Sequence, residues 1–303
     1  MKFVFFFCVL LFFSFSPKKE FEILLNLETD VEYWQEFYMM MEFNFPFMPQ
    51  ELLGMEVEHK MMNEYSINWL EDDQYDIAVA TSDWEFTWLD TNSLSAALFD
   101  QLDFFETVEE VLEDMGYNII VTKSGEIIQI SQLEELVSKI RMLNNTQSND
   151  IELELMGIND LFDERFFNET IRMSFGMYPG HPVSIGDSWG GNWSADAQNE
   201  MDFEMKYTLT GVDENYFYIS VIGIINEVQP EEENPMLSGL HMSIEGELEG
   251  YYILDRKSGW VKEAEIFQFA EMNMEMNFPG EEEPVEIKAS TSNLTKISGG
   301  VVN

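Results

Sequence analysis

Leu240-His241-Met242-Ser243-Ile244-Glu245-Gly246-Glu247-Leu248-Glu249-Gly250-Tyr251-Tyr252-Ile253-Leu254-Asp255-Arg256-Lys257-Ser258-Gly259-Trp260 decides the fold. Leu240, Met242, Ile244, Leu248, Tyr252 and Leu254 share one parity, with glutamates between them. A period of two is the mark of a strand with one buried face. Asp255 to Gly259 turns the chain, and Trp260, Ala264, Ile266, Ala270, Met272, Met274, Met276 and Phe278 carry the pattern back. Strands this long exceed the usual five or six residues, and long strands coil, curl or close into a partial barrel. Gly246 and Gly250 lie on the buried parity and mark candidate bends.

Working outward, the same alternation recurs. On the C-terminal side, residues 285–297 read as a final strand after an acidic turn at 279–284. Upstream, Met201, Phe203, Met205, Tyr207 and Leu209 alternate with Asp202, Glu204, Lys206 and Thr208, and residues 216–225 return after Asp213-Glu214-Asn215. Before them lies Met177-Tyr178-Pro179-Gly180-His181-Pro182-Val183-Ser184-Ile185-Gly186-Asp187-Ser188-Trp189. Its prolines and glycines make it a joint between a helical stretch and the later strands. β alternation begins at Phe21. Tyr33, Phe37, Met39, Met41, Phe43, Phe45 and Phe47 fall on one parity, followed by Met55, Val57, His59, Met61, Tyr65, Ile67 and Trp69, and then by a strand over residues 75–89. This is an antiparallel meander.

The middle changes period. Leu94, Leu98, Leu102, Phe105, Val108 and Leu112 step by three or four, as helices do. A hairpin follows over residues 117–130, then a capping box at Ser131-Gln132-Leu133-Glu134 and a helix. Residues 144–150 read as a loop, and a third helix starts near Asn159. The hairpin segment Tyr117-x-Ile119-Ile120-x-x-Lys123-Ser124-Gly125 echoes Tyr251-x-Ile253-Leu254-x-x-Lys257-Ser258-Gly259. Either a duplicated β unit or recurrent turn chemistry explains the echo.

The fold class is therefore α+β and mainly β: long antiparallel strands in a curled sheet or open barrel, with a few helices from the middle of the chain packed against it. Residues 1–16 read as a signal peptide or retained anchor, 17–176 as an N-terminal meander plus helices, and 177–303 as a C-terminal antiparallel half sharing one core with the first.

Composition limits the function classes. The 303 residues carry a formal charge of -43, which repels nucleic acid and anionic surfaces and favours basic partners. Lys2 followed by the apolar run from Phe3 to Phe13 is an export signal, too short for a membrane span. Ser14-Phe15-Ser16 suits a signal peptidase, although Pro17 opposes a cut there. Cys8 lacks the small neighbours of a lipoprotein box, and it is the chain's only cysteine, so the part after residue 16 holds no disulfide. The expected location is the periplasm, the cell envelope or the extracellular space.

The segment around Val121-Thr122-Lys123-Ser124-Gly125-Glu126-Ile127, the run Pro182-Val183-Ser184-Ile185-Gly186-Asp187-Ser188-Trp189, and Gly250-Tyr251-Tyr252-Ile253-Leu254-Asp255 together resemble a family of exported bacterial proteins, domain of unknown function 6263. The resemblance implies export and an envelope or extracellular site. It implies no catalytic residue and no ligand. Family members often carry a lipoprotein cysteine, and this chain departs from that.

No residue set is assigned to catalysis, and no metal or cofactor is assigned. His59, His181 and His241 lie apart in the sequence. His181 with Asp187 is the one acid/base candidate, set against Asp187 capping a turn. The acidic runs at Glu231-Glu232-Glu233 and Glu281-Glu282-Glu283 lack calcium-loop spacing. Methionine is the most informative residue. Met39, Met41, Met205, Met242, Met272, Met274 and Met276 all take inward parities. Thioethers there fill an ordinary core, wall an adaptable apolar cavity, or hold Cu(I). The leading expectation is a non-enzymatic protein that binds an apolar small molecule or lipid in a Met- and Phe-lined concavity. The rival is a cell-surface or extracellular interaction protein with a filled core, its partner a basic envelope protein.

Overall fold

A computed structural model describes residues 18–44, 55–69, 73–88, 104–147, 164–194, 202–228, 240–276 and 285–302. The segment read as a signal peptide, the acidic stretches 229–239 and 279–284 read as turns, and residues 92–103, read as the start of a helix, lie outside them.

The strands are β1 (Glu20–Phe21), β2 (Glu32–Asn44), β3 (Met55–Trp69), β4 (Gln74–Trp88), β5 (Tyr117–Thr122), β6 (Ile127–Ser131), β7 (Val183–Ser184), β8 (Ser188–Ser194), β9 (Asp202–Val212), β10 (Tyr216–Val228), β11 (Leu240–Asp255), β12 (Val261–Met276) and β13 (Val285–Val301). The helices are α1 (Phe104–Asp114), α2 (Leu133–Gln147) and α3 (Glu164–Phe175). Eleven strands make one antiparallel sheet in the order β6-β5-β4-β3-β2-β13-β12-β11-β10-β9-β8. Its two edges, β6 and β8, do not meet, so the sheet is open and not a closed barrel. The last strand β13 slots beside β2 and joins the early meander to the late one.

The alternation read from the sequence sets the two faces. Tyr33, Phe37 and Met39 of β2, Met61 and Tyr65 of β3, Ile219 of β10, Tyr252 of β11 and Ile297 of β13 all point inward and are buried. The helices cover this inward face. Phe167 of α3 meets Tyr117 edge-on, and Phe175 meets Tyr65 and Trp260. In β4 the inward parity switches from Tyr75, Ile77 and Val79 to Trp84 because Ser82 is an extra residue opposite the Met62–Asn63 step.

Three local expectations are corrected. Residues 22–28 alternate like a strand, with Ile23, Leu25 and Leu27 buried, yet they form no ladder. Their amides bond to turns and tyrosines instead. Leu25 N–H donates to Lys123 O at 2.8 Å, Asn26 N–H to Ser258 O at 2.7 Å, and Leu27 N–H to the Tyr75 hydroxyl at 3.0 Å. The N-terminal segment is thus a strap across one end of the sheet, gripped by both Lys-Ser-Gly turns. Second, α2 begins one residue inside the capping box: Gln132 sits at φ 69°, and the Ser131 hydroxyl accepts from Gln129 Nε2 at 2.9 Å. Third, α2 runs on to Gln147, so residues 144–147 are helical and not loop. Their polarity is tolerated in a helix and does not by itself end one.

Candidate functional site

Helix α3 builds the roof of the site. Phe167, Ile171 and Phe175 give it an apolar face, with Glu164 in its first turn and Arg172 in its last, the favourable order for the helix dipole. Two polar residues on the buried side are satisfied within the helix. Thr170 Oγ1 donates to Phe166 O and Ser174 Oγ to Thr170 O, each at 3.0 Å. The one Ser174 hydroxyl proton is shared between Thr170 O and Gln35 Oε1, which lies 2.8 Å from Oγ and accepts from the Tyr65 hydroxyl at 2.9 Å. Helix and sheet are therefore keyed by a buried polar contact. Burial pushes the Tyr65 phenol up to about 12, so it stays a donor.

Beside this key lies a cleft of about 70 Å³. Glu169, Arg172 and Met173 of α3 form one wall; Met205, Leu248, Tyr252 and Ile266 form the apolar floor. Gln268, Asn293 and Thr295 add a polar stripe. The register explains the stripe: Leu248, Gln268, Asn293 and Met41 stand in one cross-strand row, and Gly250, Ile266, Thr295 and Met39 in the next. Two glycines shape the floor. A Cβ on Gly223 would come within 2.7 Å of Met205 Sδ, and one on Gly250 would collide with Glu265 O. Binding cavities for small molecules run to roughly 300–1,000 Å³, so this cleft is too small for a whole lipid.

Beyond the polar stripe the inward face continues. Ile225, Ile244 and Ala270 form a small cluster of their own, with Met272 packed against it. Met41, Phe43, Leu248 and Met272 are half-buried there.

The methionines singled out from the sequence do not converge on one point. Met205 lines the cleft, and Met39 is buried between Thr295 and His59. They stand five places apart in the strand order, and Met39 does not line the cleft. Met41 faces Asn293, and Met272 faces Ile244. Met242 is in register with Met274, and Met276 with Leu240, at the same corner as Met272; the side chains of Met242, Met274 and Met276 lie outside the described residues. Among the described residues no group of three or more His, Cys, Asp or Glu side chains is placed to hold a metal.

The sequence reading passed over the α3 wall and the polar stripe. Gln268, Asn293 and Thr295 carried a usable signal, because each is a polar residue on an inward parity. His59 shows the same signal. It is buried among the rings of Trp84, Phe86 and Phe166, at 5.4, 6.1 and 5.5 Å. Its Nε2 has no hydrogen-bond partner among the described residues, and burial lowers its pKa to about 4. His181 and Asp187 are not an acid/base pair in this arrangement. Asp187 caps the joint, accepting from Ser184 N–H at 2.9 Å and from Lys18 Nζ at 3.0 Å, while His181 is exposed. The Ser184 amide and the Lys18 cation hold the Asp187 carboxyl below its usual range.

A larger groove of about 460 Å³ lies beside the strap, lined by Glu28, Tyr33, Tyr216, Lys257, Trp260 and Lys262 among others. Its charges are engaged: Lys257 pairs with Glu28 at 2.6 Å, and Lys262 donates to Gly299 O at 3.0 Å.

Residues 100–261, spanning α1, the hairpin, the joint and β8 to β11, match the sequence profile of a family of unknown function, DUF6263. The chain belongs to that family. No curated protein matches this DUF6263 member significantly. Among solved structures, lipovitellin in a structure of its lipid–protein interactions is similar with a TM-score of 0.44 at 10% identity, over 91% of this chain and 26% of that one. The DUF6263 chain thus spans about a quarter of that lipovitellin chain. Salmonella typhi OmpF in complex with daunomycin gives 0.23 at 4% identity, over 92% of this chain and all of that one. An outer membrane channel from Pseudomonas putida F1 gives 0.19 at 6% identity, over 90% and 97%. Likeness at this level carries no weight for function.

Proposed function

We propose that this DUF6263 protein is an exported, non-enzymatic binder of an apolar, lipid-like molecule, held against the inward face of the sheet. The observation that supports the reading is the apolar cleft under α3, which ends at Gln268 and Asn293, with the half-buried Met272 and its cluster farther along the same inward face. The end of an alkyl chain enters the cleft over Met205, Leu248 and Ile266. The rest lies along the inward face toward Ile244. The overall charge of -43 disfavours an anionic headgroup and favours a neutral or zwitterionic one.

The test uses lysophosphatidylcholine, a single-chain zwitterionic lipid, followed by native mass spectrometry. Wild type takes up one lipid. Leu248→Trp, which fills the cleft from its floor, takes up none while keeping its fold by circular dichroism. Equal uptake by both proteins, or none by wild type, overturns the proposal. The small volume of the cleft supports the rival, a surface interaction protein with a filled core.

A further inference from the structure

The outward face of the sheet carries an organised surface. On β10, Ile222 and Ile224 are each 56% exposed, and Phe267 of β12 is 42% exposed. The register places them in two consecutive cross-strand rows: Ile222–Glu249–Phe267 and Ile224–Glu247–Phe269. Each row is an acid held between two large apolar side chains. Glu245 extends the acidic line along β11, and Glu271 stands opposite it. Tyr251 and Glu265 close the other end, where the Tyr251 hydroxyl donates to Glu263 Oε1 at 2.7 Å. A shallow groove of about 370 Å³ runs between Ile222, Glu249, Tyr251, Glu265 and Phe267. No ion pair reaches Glu245, Glu247 or Glu249 among the described residues.

We infer that this face docks a basic, extended segment of another protein, with cationic side chains at alternate positions. Charge selects the occupant. A second copy of the chain would bring like charge against like, and an anionic membrane would be repelled in the same way. The spacing supplies the match. Residues two apart on β11 stand about 6.7 Å apart, the repeat of alternate side chains in an extended peptide. A lysine over Glu247 and another over Glu249 then sit in slots walled by Ile224, Phe269, Ile222 and Phe267, against which the methylene stems of the lysines pack. The inference is independent of whether the inward face carries a lipid.

The test measures binding of a short peptide of alternating lysine and leucine by isothermal titration calorimetry at physiological salt. Wild type binds it. Glu247→Lys with Glu249→Lys weakens binding about tenfold or more, and Ile222→Ser with Phe267→Ser weakens it by a similar factor. Glu134→Lys with Glu135→Lys on α2 makes the same charge change elsewhere and weakens it less than about twofold. Equal loss in the α2 variant, or no binding by wild type, overturns the inference. Should an outer-face variant fail to fold, NMR shift mapping on wild type decides: shifts at Ile222, Glu249 and Phe267 support the surface, and shifts elsewhere refute it. Dimerisation through these residues, or binding to anionic vesicles in place of the peptide, refutes it as well.

Discussion

The two ends of the inward face are built differently. At the strap end, residues 22–28 cross the sheet, Trp260 touches the rings of Tyr33 and Tyr65 at 5.0 Å each, and the Tyr178 hydroxyl donates to Gly259 O at 2.7 Å. Hydrogen bonds and ring contacts tie the strap, the sheet and α3 together there. At the far end, Ile225, Ile244 and Ala270 make a cluster separate from the main core, and Met272 is only half-buried. The same strands run through both ends, so strand propensity does not cause the difference. What covers the strands does. The closed end carries the stability, and among the described residues the open end keeps apolar surface half-exposed, which the proposed ligand would cover.

Mutations sharpen that contrast. Trp260→Ala at the closed end is expected to cost about 4 kcal/mol in urea unfolding, since it empties a ring cluster and removes the donor to Trp34 O. Loss of less than about 1 kcal/mol would break the contrast. Gly259→Ala comes next, at about 2 kcal/mol or more. Its φ of 75° strains any L side chain, and a Cβ there would strike Leu24 O of the strap.

His59 tests the middle of the face. Its folded-state pKa of about 4 lies below the ordinary 6.5 because burial disfavours the cation. Unfolding therefore takes up a proton between those values, and the stability that His59 contributes falls as pH drops from 6.5 toward 4. Between pH 7 and pH 5 wild type loses about 2 kcal/mol relative to His59→Phe. Parallel pH profiles for the two proteins would show that His59 is solvated. The smallest effect is at the open end: Met272→Ala costs about 1 kcal/mol, because half of the side chain has little packing to lose.

Much of the fold was legible in the residues. Alternation in β2, β3, β9, β11 and β12 reports one buried face, and a period of two has few other causes. The strap was not legible as such. Ile23, Leu25 and Leu27 alternate as a strand would, and only the distant carbonyls of Lys123 and Ser258 divert their amides. The echoed Lys-Ser-Gly turns held a clue in their shared spacing, but their common target lies more than a hundred residues before the second. The site was half legible. Met39 and Met205 are buried, as their inward parity implies, whereas their separation depends on strand order, which parity does not encode. The α3 wall of Glu169, Arg172 and Met173 was hidden because a helix's docking angle is set by tertiary packing.

Hydrogen exchange with and without lysophosphatidylcholine tests the contrast most directly. Without lipid, amides of Tyr252 and Leu254 at the closed end exchange only through global unfolding, while those of Ile244 and Gly246 on the same strand exchange through smaller openings. Added lipid slows Ile244, Gly246 and their β12 neighbours and leaves Tyr252 and Leu254 unchanged beyond the global gain. Uniform protection along β11 without lipid, or an unchanged open end with lipid, would contradict the division of the sheet into a closed end and a binding end.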